Sequence, residues 1–376
     1  MKKTIALLAM ALMVLSIVPG ILATSVGTGI GIDIETEDFA PRVWMCDNRV
    51  VMDDNGQYGR VSNPGQNLTE RINNYAFEGE QISWSVLVMD KNKIDQNIDV
   101  YGTVGDVQGE GNDIEVNCIR QSSQPSEIPG SCNARIQEEY VQWNPDTMAM
   151  FTCTLTVETP DSMYGEYWLT VEAMDGDGLM GTMAENEYWY LNPVIALSID
   201  GDLTFDEVRP GTDAYSSTLL VGNDADDGSG VMLDMFISGT DFYDSSSSGA
   251  RCPTTNQLEL DNGLTGKAFT GFRYYVTNGA YNSAQDLVVS GGDFPGVRRK
   301  DAEGYLNIVN TMESFSSKFY DDAEILQVQK VATSPYYAAN ILAPGAEMAL
   351  TFKLSLPEPC NGDFDTGSIY FWGEAI

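Results

Sequence analysis

The stretch QISWSVLVMD, residues 81 to 90, places Ile82, Trp84, Val86 and Val88 on one side of an extended chain and Ser83 and Ser85 on the other. A period of two is the signature of a strand with one face turned to a core. The same period recurs in MFTCTLTVET (150 to 159), through Phe151, Cys153, Leu155 and Val157, and in EMALTFKLSLP (347 to 357), through Met348, Leu350, Phe352, Leu354 and Leu356. These are read as half-buried antiparallel strands.

Between such runs lie turn clusters: DDNG at 53 to 56, DGDG at 175 to 178, RPGT at 209 to 212 and APGA at 343 to 346. Helical periodicity is weak, with one short turn expected around Met312 to Phe319. The serine run DSSSSG, 244 to 249, reads as a solvated loop. Short strands punctuated by Gly, Pro and Asp predict an all-β chain of two antiparallel β-sandwiches, Ig-like or jelly-roll-like. The boundary is expected at Asn192-Pro193, where YWYLNP closes one strand series and VIALSIDGDLTF opens the next. That gives a first sandwich over 39–193 and a second over 194–376.

The beginning of the chain reads differently. Met-Lys-Lys followed by an apolar run ending in small residues is a secretory signal pattern over 1–23. The rival reading is an uncleaved membrane anchor, since the run is about as long as a spanning helix. Behind it, TSVGTGIGIDIETED (24 to 38) alternates strictly, with Val26, Ile30, Ile32 and Ile34 on one side and glycine or acid on the other. Such a strand can serve as the first strand of its own domain. Alternatively, it can be donated to an open sheet edge of a neighbouring copy, with those four residues as the subunit interface. Whether Asp38-Phe39-Ala40-Pro41 is a joint or a tight turn bears on the choice.

Charge restricts the partners. Lys and Arg number 20 against 55 Asp and Glu, a formal net charge of −35. Nucleic acid is therefore not expected, and contact between copies needs screening by salt or cations. Histidine is absent, which removes His-based triads and His-ligated zinc. The six cysteines contain no CxxC pair and suit structural disulfides in an oxidising compartment. With two cysteines in the second half, Cys252 pairs with Cys360. Among the four in the first half the preferred pairs are Cys118 with Cys132 and Cys46 with Cys153.

Three motifs suggest chemistry. Asp365-Thr366-Gly367-Ser368 matches the aspartic protease signature, but that reaction needs two carboxylates sharing a proton, and no second D-T-G or D-S-G occurs. It is read as a turn opening the last strand, no catalytic residue is assigned, and an enzyme is not expected. Asp175 and Asp177, and Asp224, Asp226 and Asp227, supply hard oxygen ligands beside glycine that suit calcium. Asn67-Leu68-Thr69 is an N-glycosylation sequon.

NYAFEGEQISWSVLVMDKN (74 to 92), DGDLTFDEVRPGT (200 to 212) with STLLVGNDAD (217 to 226), and CNGDFDTGSIYFWGEAI (360 to 376) resemble segments of secreted Ig-like surface proteins of small-genome archaea. More loosely, the V-x-P-G turn, the L-V-x-N strand end and the late P-G-x-x-M-x-L strand are similar to sandwich modules of archaeal envelope proteins and of TasA or camelysin-type fibre proteins. The resemblance implies a structural role at the cell surface. The expected function is thus a secreted, self-assembling filament or surface-layer subunit. The alternative is an extracellular adhesion or glycan-binding module whose partners are surface glycans or proteins. No membrane insertion is expected after cleavage.

Overall fold

A computed structural model describes residues 32–47, 49–53, 68–94, 98–107, 114–136, 142–184, 187–246, 252, 256–258, 260, 271–287, 298–310, 322–331 and 336–376. The signal region, Val26, Ile30, Asn67 and the short turn expected at Met312 to Phe319 lie outside them. The chain is nearly all β.

Eleven strands form the first sheet: β1 (Arg42–Met45), β2 (Val50–Asp53), β3 (Leu68–Ile72), β4 (Tyr75–Ala76), β5 (Gln81–Met89), β6 (Asp99–Gly105), β7 (Ile114–Arg120), β8 (Met148–Thr156), β9 (Gly165–Met174), β10 (Met180–Thr182) and β11 (Glu187–Leu191). Their order is β3-β2-β5-β8-β7-β6-β9-β11-β4, with β1 on β5 and β10 on β9. β7 pairs through its first half with β6 and through Cys118 to Arg120 with β8. The ladder therefore turns a corner at β7. Its two wings share one core, with Ile82, Trp84, Val86 and Phe151 from one and Val104, Leu169, Val171 and Trp189 from the other.

The half-buried reading of β5 needs correction: Ser83, Ser85, Leu87 and Met89 are buried as well. Leu87 and Met89 pack with Met148, Met150, Cys46, Cys132 and Ile136 in a second apolar layer. Helix α1 (Gly130–Ile136), stapled to the end of β1 by Cys46–Cys132, supplies that cover. Alternation in sequence reports one face, and here the other face gained a lid.

The remaining strands are β12 (Leu197–Asp200), β13 (Asp213–Asn223), β14 (Leu233–Gly239), β15 (Phe242–Tyr243), β16 (Gln257–Leu258), β17 (Phe272–Asn278), β18 (Tyr281–Asn282), β19 (Leu306–Asn307), β20 (Val309–Asn310), β21 (Ile341–Leu342), β22 (Glu347–Ser355) and β23 (Ile369–Ala375). One sheet runs β12-β13-β22-β17-β18 with β19 on β17, another β20-β14-β21 with β23 on β14. Val221, Leu350 and Phe352 of the first meet Leu233, Met235 and Ile237 of the second in a common core. Tyr75, from β4, is buried in that same core, and its hydroxyl donates to the Ile376 carbonyl. Two pairings, β4 with β11 and β14 with β20, are parallel, against the wholly antiparallel expectation.

Several buried polar side chains are answered inside. The Asn223 amide donates to the Val231 and Leu342 carbonyls at 2.9 Å each, and its oxygen accepts from the Ala225 N–H at 3.0 Å. Arg298 and Asp286 form a fully enclosed ion pair at 2.6 Å. Beside it, the Tyr274 hydroxyl donates to the Ile325 carbonyl at 2.9 Å.

Candidate functional site

The last strand is set up by the D-T-G turn. The Asp365 carboxylate accepts from the Ser245 hydroxyl at 2.8 Å and the Ser245 N–H at 3.1 Å, which holds it below the usual carboxylate range. Thr366 bridges to Tyr243. Gly367 has φ 130°, and a methyl there would lie 2.6 Å from Phe242 Cδ1 and 2.8 Å from the Asp241 carbonyl oxygen. Only glycine fits. The turn thus delivers the chain into β23 at a fixed register on β14.

Which backbone groups β23 uses on β14 follows from parity. The Met235 carbonyl accepts from Ile325 N–H at 3.0 Å, on the side of β14 away from β23. At the two ends Thr240 N–H donates to Ser368 and Ile376 N–H to Met232. In a strand the N–H and C=O of one residue point the same way and alternate between neighbours. Met235 faces Gly373, so Ser238, Phe236 and Asp234 bond to Tyr370, Trp372 and Glu374. Ile369, Phe371, Gly373 and Ala375 therefore turn their backbone groups away from β14. Among the described strands β23 pairs with β14 alone. Among the described residues the outward row meets no further strand.

The side chains of this edge are two-faced. Ile369, Phe371 and Ala375 pack against the core of the second sheet pair and stay half-buried. On the other face Trp372 stacks on Phe236 at 6.0 Å, and Tyr370 is 46% exposed. This is an apolar rim with its ladder incomplete.

At the other end of the chain, residues 32 to 40 form no strand, and Ile32 and Ile34 are 78% and 77% exposed. Phe39 to Pro41 is an anchored lead-in to β1 and not a tight turn. The Phe39 N–H donates to Asn92 Oδ1 at 2.8 Å, Lys91 Nζ lies 5.0 Å over its ring, and Pro41 is buried.

The remaining sequence-derived residues are placed as follows. Asp175 Oδ1 accepts from the N–H groups of Asp177 and Leu179, closing its own turn. Asp226 accepts from the Tyr164 hydroxyl and the Val194 N–H. Burial and that carboxylate push the Tyr190 phenol up to about 12. Asp224 and Asp227 flank it in the turn after β13. No group of three or more acidic or cysteine side chains is close enough to hold a metal ion among the described residues.

The disulfide pairs read for the first half are corrected. Cys118 sits directly opposite Cys153 in the β7–β8 register and pairs with it, and Cys46 reaches Cys132 on α1. Closeness in sequence suggested Cys118–Cys132, but cross-strand register decides. Cys252 and Cys360 form the third disulfide.

Sequence reading missed a cluster on the β13–β22–β17 sheet. Lys353 lies 5.5 Å from the Tyr305 ring centre and 6.0 Å from that of Tyr215, and its ammonium pairs with Glu303 at 2.8 Å, Asp301 at 3.3 Å and Asp213 at 3.4 Å. Tyr275 packs on Tyr305 at 5.5 Å. Lys353 stands at an outward-reading position of EMALTFKLSLP, between Phe352 and Leu354, so nothing in the sequence marked it.

No family model matches the chain, and no curated protein matches it. Among solved structures, the C-terminal domain of the Streptococcus agalactiae AgI/II polypeptide BspA is similar at 10% identity over 89% of this chain and 97% of that one, with a TM-score of 0.30. A second structure, BspA_C_WT, gives 9% identity over 87% and 96%, with a TM-score of 0.27. A likeness of that size assigns neither a fold family nor a role.

Proposed function

We propose that the protein is a secreted structural subunit of the cell surface that assembles with copies of itself into a filament or layer by strand donation. The observation that carries this reading is the N-terminal segment. It has the strict alternation of a strand, yet its described part lies in none and exposes Ile32 and Ile34. An exposed β-competent segment gains main-chain hydrogen bonds and buried area by adding to a sheet edge. Three disulfides and the secretory signal pattern support an extracellular setting. The large negative charge makes assembly dependent on screening, by salt or by calcium.

The test is negative-stain microscopy and sedimentation of the secreted chain with and without 24–36, at low and high salt and with calcium. Ordered fibres or sheets are expected from the full chain only, with both proteins folded by circular dichroism. Fibres from the deleted chain would overturn the reading.

A second reading, a glycan-binding adhesin, is favoured by the Tyr215, Tyr275 and Tyr305 cluster, where rings and carboxylates stand together. Its test is a glycan array on the monomeric chain. Tyr215→Ala is expected to abolish any signal.

A further inference from the structure

We infer that the outer edge of β23 is the acceptor, and that its occupant is residues 29 to 35 of a second copy, laid antiparallel to β23. This rests on the strand-donation reading above and adds the site, the direction and the facing residues.

β23 has seven residues, and the alternating segment supplies a window of that length, Gly29 to Glu35. The backbone parity agrees as well. Ile369, Phe371, Gly373 and Ala375 present N–H and C=O groups outward, the row an added strand needs. The side chains then sort by face. Ile30, Ile32 and Ile34 continue the apolar rim of Ile369, Phe371 and Ala375 and cover the core it leaves half-exposed. Gly29, Gly31, Asp33 and Glu35 fall on the face of Tyr370, Trp372 and Glu374.

That second face chooses the direction. Laid antiparallel with Gly31 opposite Trp372, the donor sets Gly29 across from Glu374 and Asp33 across from Tyr370. The indole and its stacked Phe236 then lie beneath a residue without a side chain. Laid parallel about the same point, Asp33 would stand opposite Glu374, and like charges in that position oppose pairing.

The experiment is hydrogen exchange on the full secreted chain, as dilute monomer and as assembled material, beside a variant with Ile30, Ile32 and Ile34 all changed to Ser. In the assembly, amide exchange at Ile369, Phe371 and Gly373 is expected to slow at least about tenfold, while Tyr370, Trp372 and Glu374, already bonded to β14, change little. The variant is expected to stay monomeric with β23 exchanging as in the monomer. Slowing at another edge, such as β10 or β12, with the variant still monomeric, would move the acceptor and leave strand donation standing. Slowing of the odd-numbered row in dilute monomer would mean that the segment docks on its own chain, which overturns the inference. Assembly by the variant, or no assembly by the full chain, would sink the inference and the functional reading together.

Discussion

β5 and β23 are strands of similar apolar content in very different surroundings. β5 is paired along both edges, with β8 on one side and β1 and β2 on the other, and is buried on both faces. Among the described strands β23 is paired along one edge, and every residue in it keeps some exposure. A strand enclosed on four sides contributes only stability. One enclosed on two and a half holds unspent pairing capacity, and the sequence IYFWGEA, with aromatics on both faces, is costly to leave at a rim unless something uses it.

The sharpest way to break this contrast is Trp84→Ala against Trp372→Ala. Trp84 is buried above Gly102 and the Cys118–Cys153 bridge, so its truncation is expected to cost about 4 kcal/mol in urea unfolding. Next comes Asn223→Ala in β13, which strands two buried carbonyls and one N–H and is expected to cost about 3 kcal/mol by the same measurement. Trp372→Ala loses one ring stack on a half-exposed strand, about 1.5 kcal/mol in the monomer. Equal losses at Trp84 and Trp372 would erase the distinction between closed and open strands.

The smallest effect is one of pH. Burial pushes the Tyr274 phenol up to about 12, whereas in the unfolded chain it ionises near its ordinary value of about 10. Its contribution is therefore whole below pH 10 and is lost as pH rises through about 12. At pH 11 the loss is about 1 kcal/mol, read as a lower urea midpoint than at pH 9, and Tyr274→Phe should flatten that slope. A fall of equal size in Tyr274→Phe would assign the alkaline loss to other groups.

Much of the fold was legible because it rests on alternation. The runs at 82–88, 151–157 and 348–356 became β5, β8 and β22, and the apolar set of the last lines the second core. What alternation could not tell is what covers the other face, and so α1 over Leu87 and Met89 was missed. The disulfides were misread for a related reason. Cys118 and Cys153 meet because two strands fix their register, a relation with no trace in sequence spacing. The Lys353 cluster joins Tyr215, Tyr275 and Tyr305 from separate parts of the chain, each unremarkable alone. The candidate site was half legible: the alternation of the N-terminal segment could be read from its pattern, but the edge of β23 that meets no other described strand could not, since pairing is a property of the neighbours.

The Cys46–Cys132 bridge has a mechanical consequence. In a polymer joined end to end, tension would enter near Phe39 and leave through β23. The bridge lies just inside the entry point and spans 86 residues, and Cys252–Cys360 spans 108 just before the exit. A pull on the ends would pass through the sulfur links and bypass both stretches. At about 3.5 Å per extended residue, the first bypass alone would withhold about 300 Å of slack from the fibre. Reducing agent would release both stretches and make such a fibre more extensible.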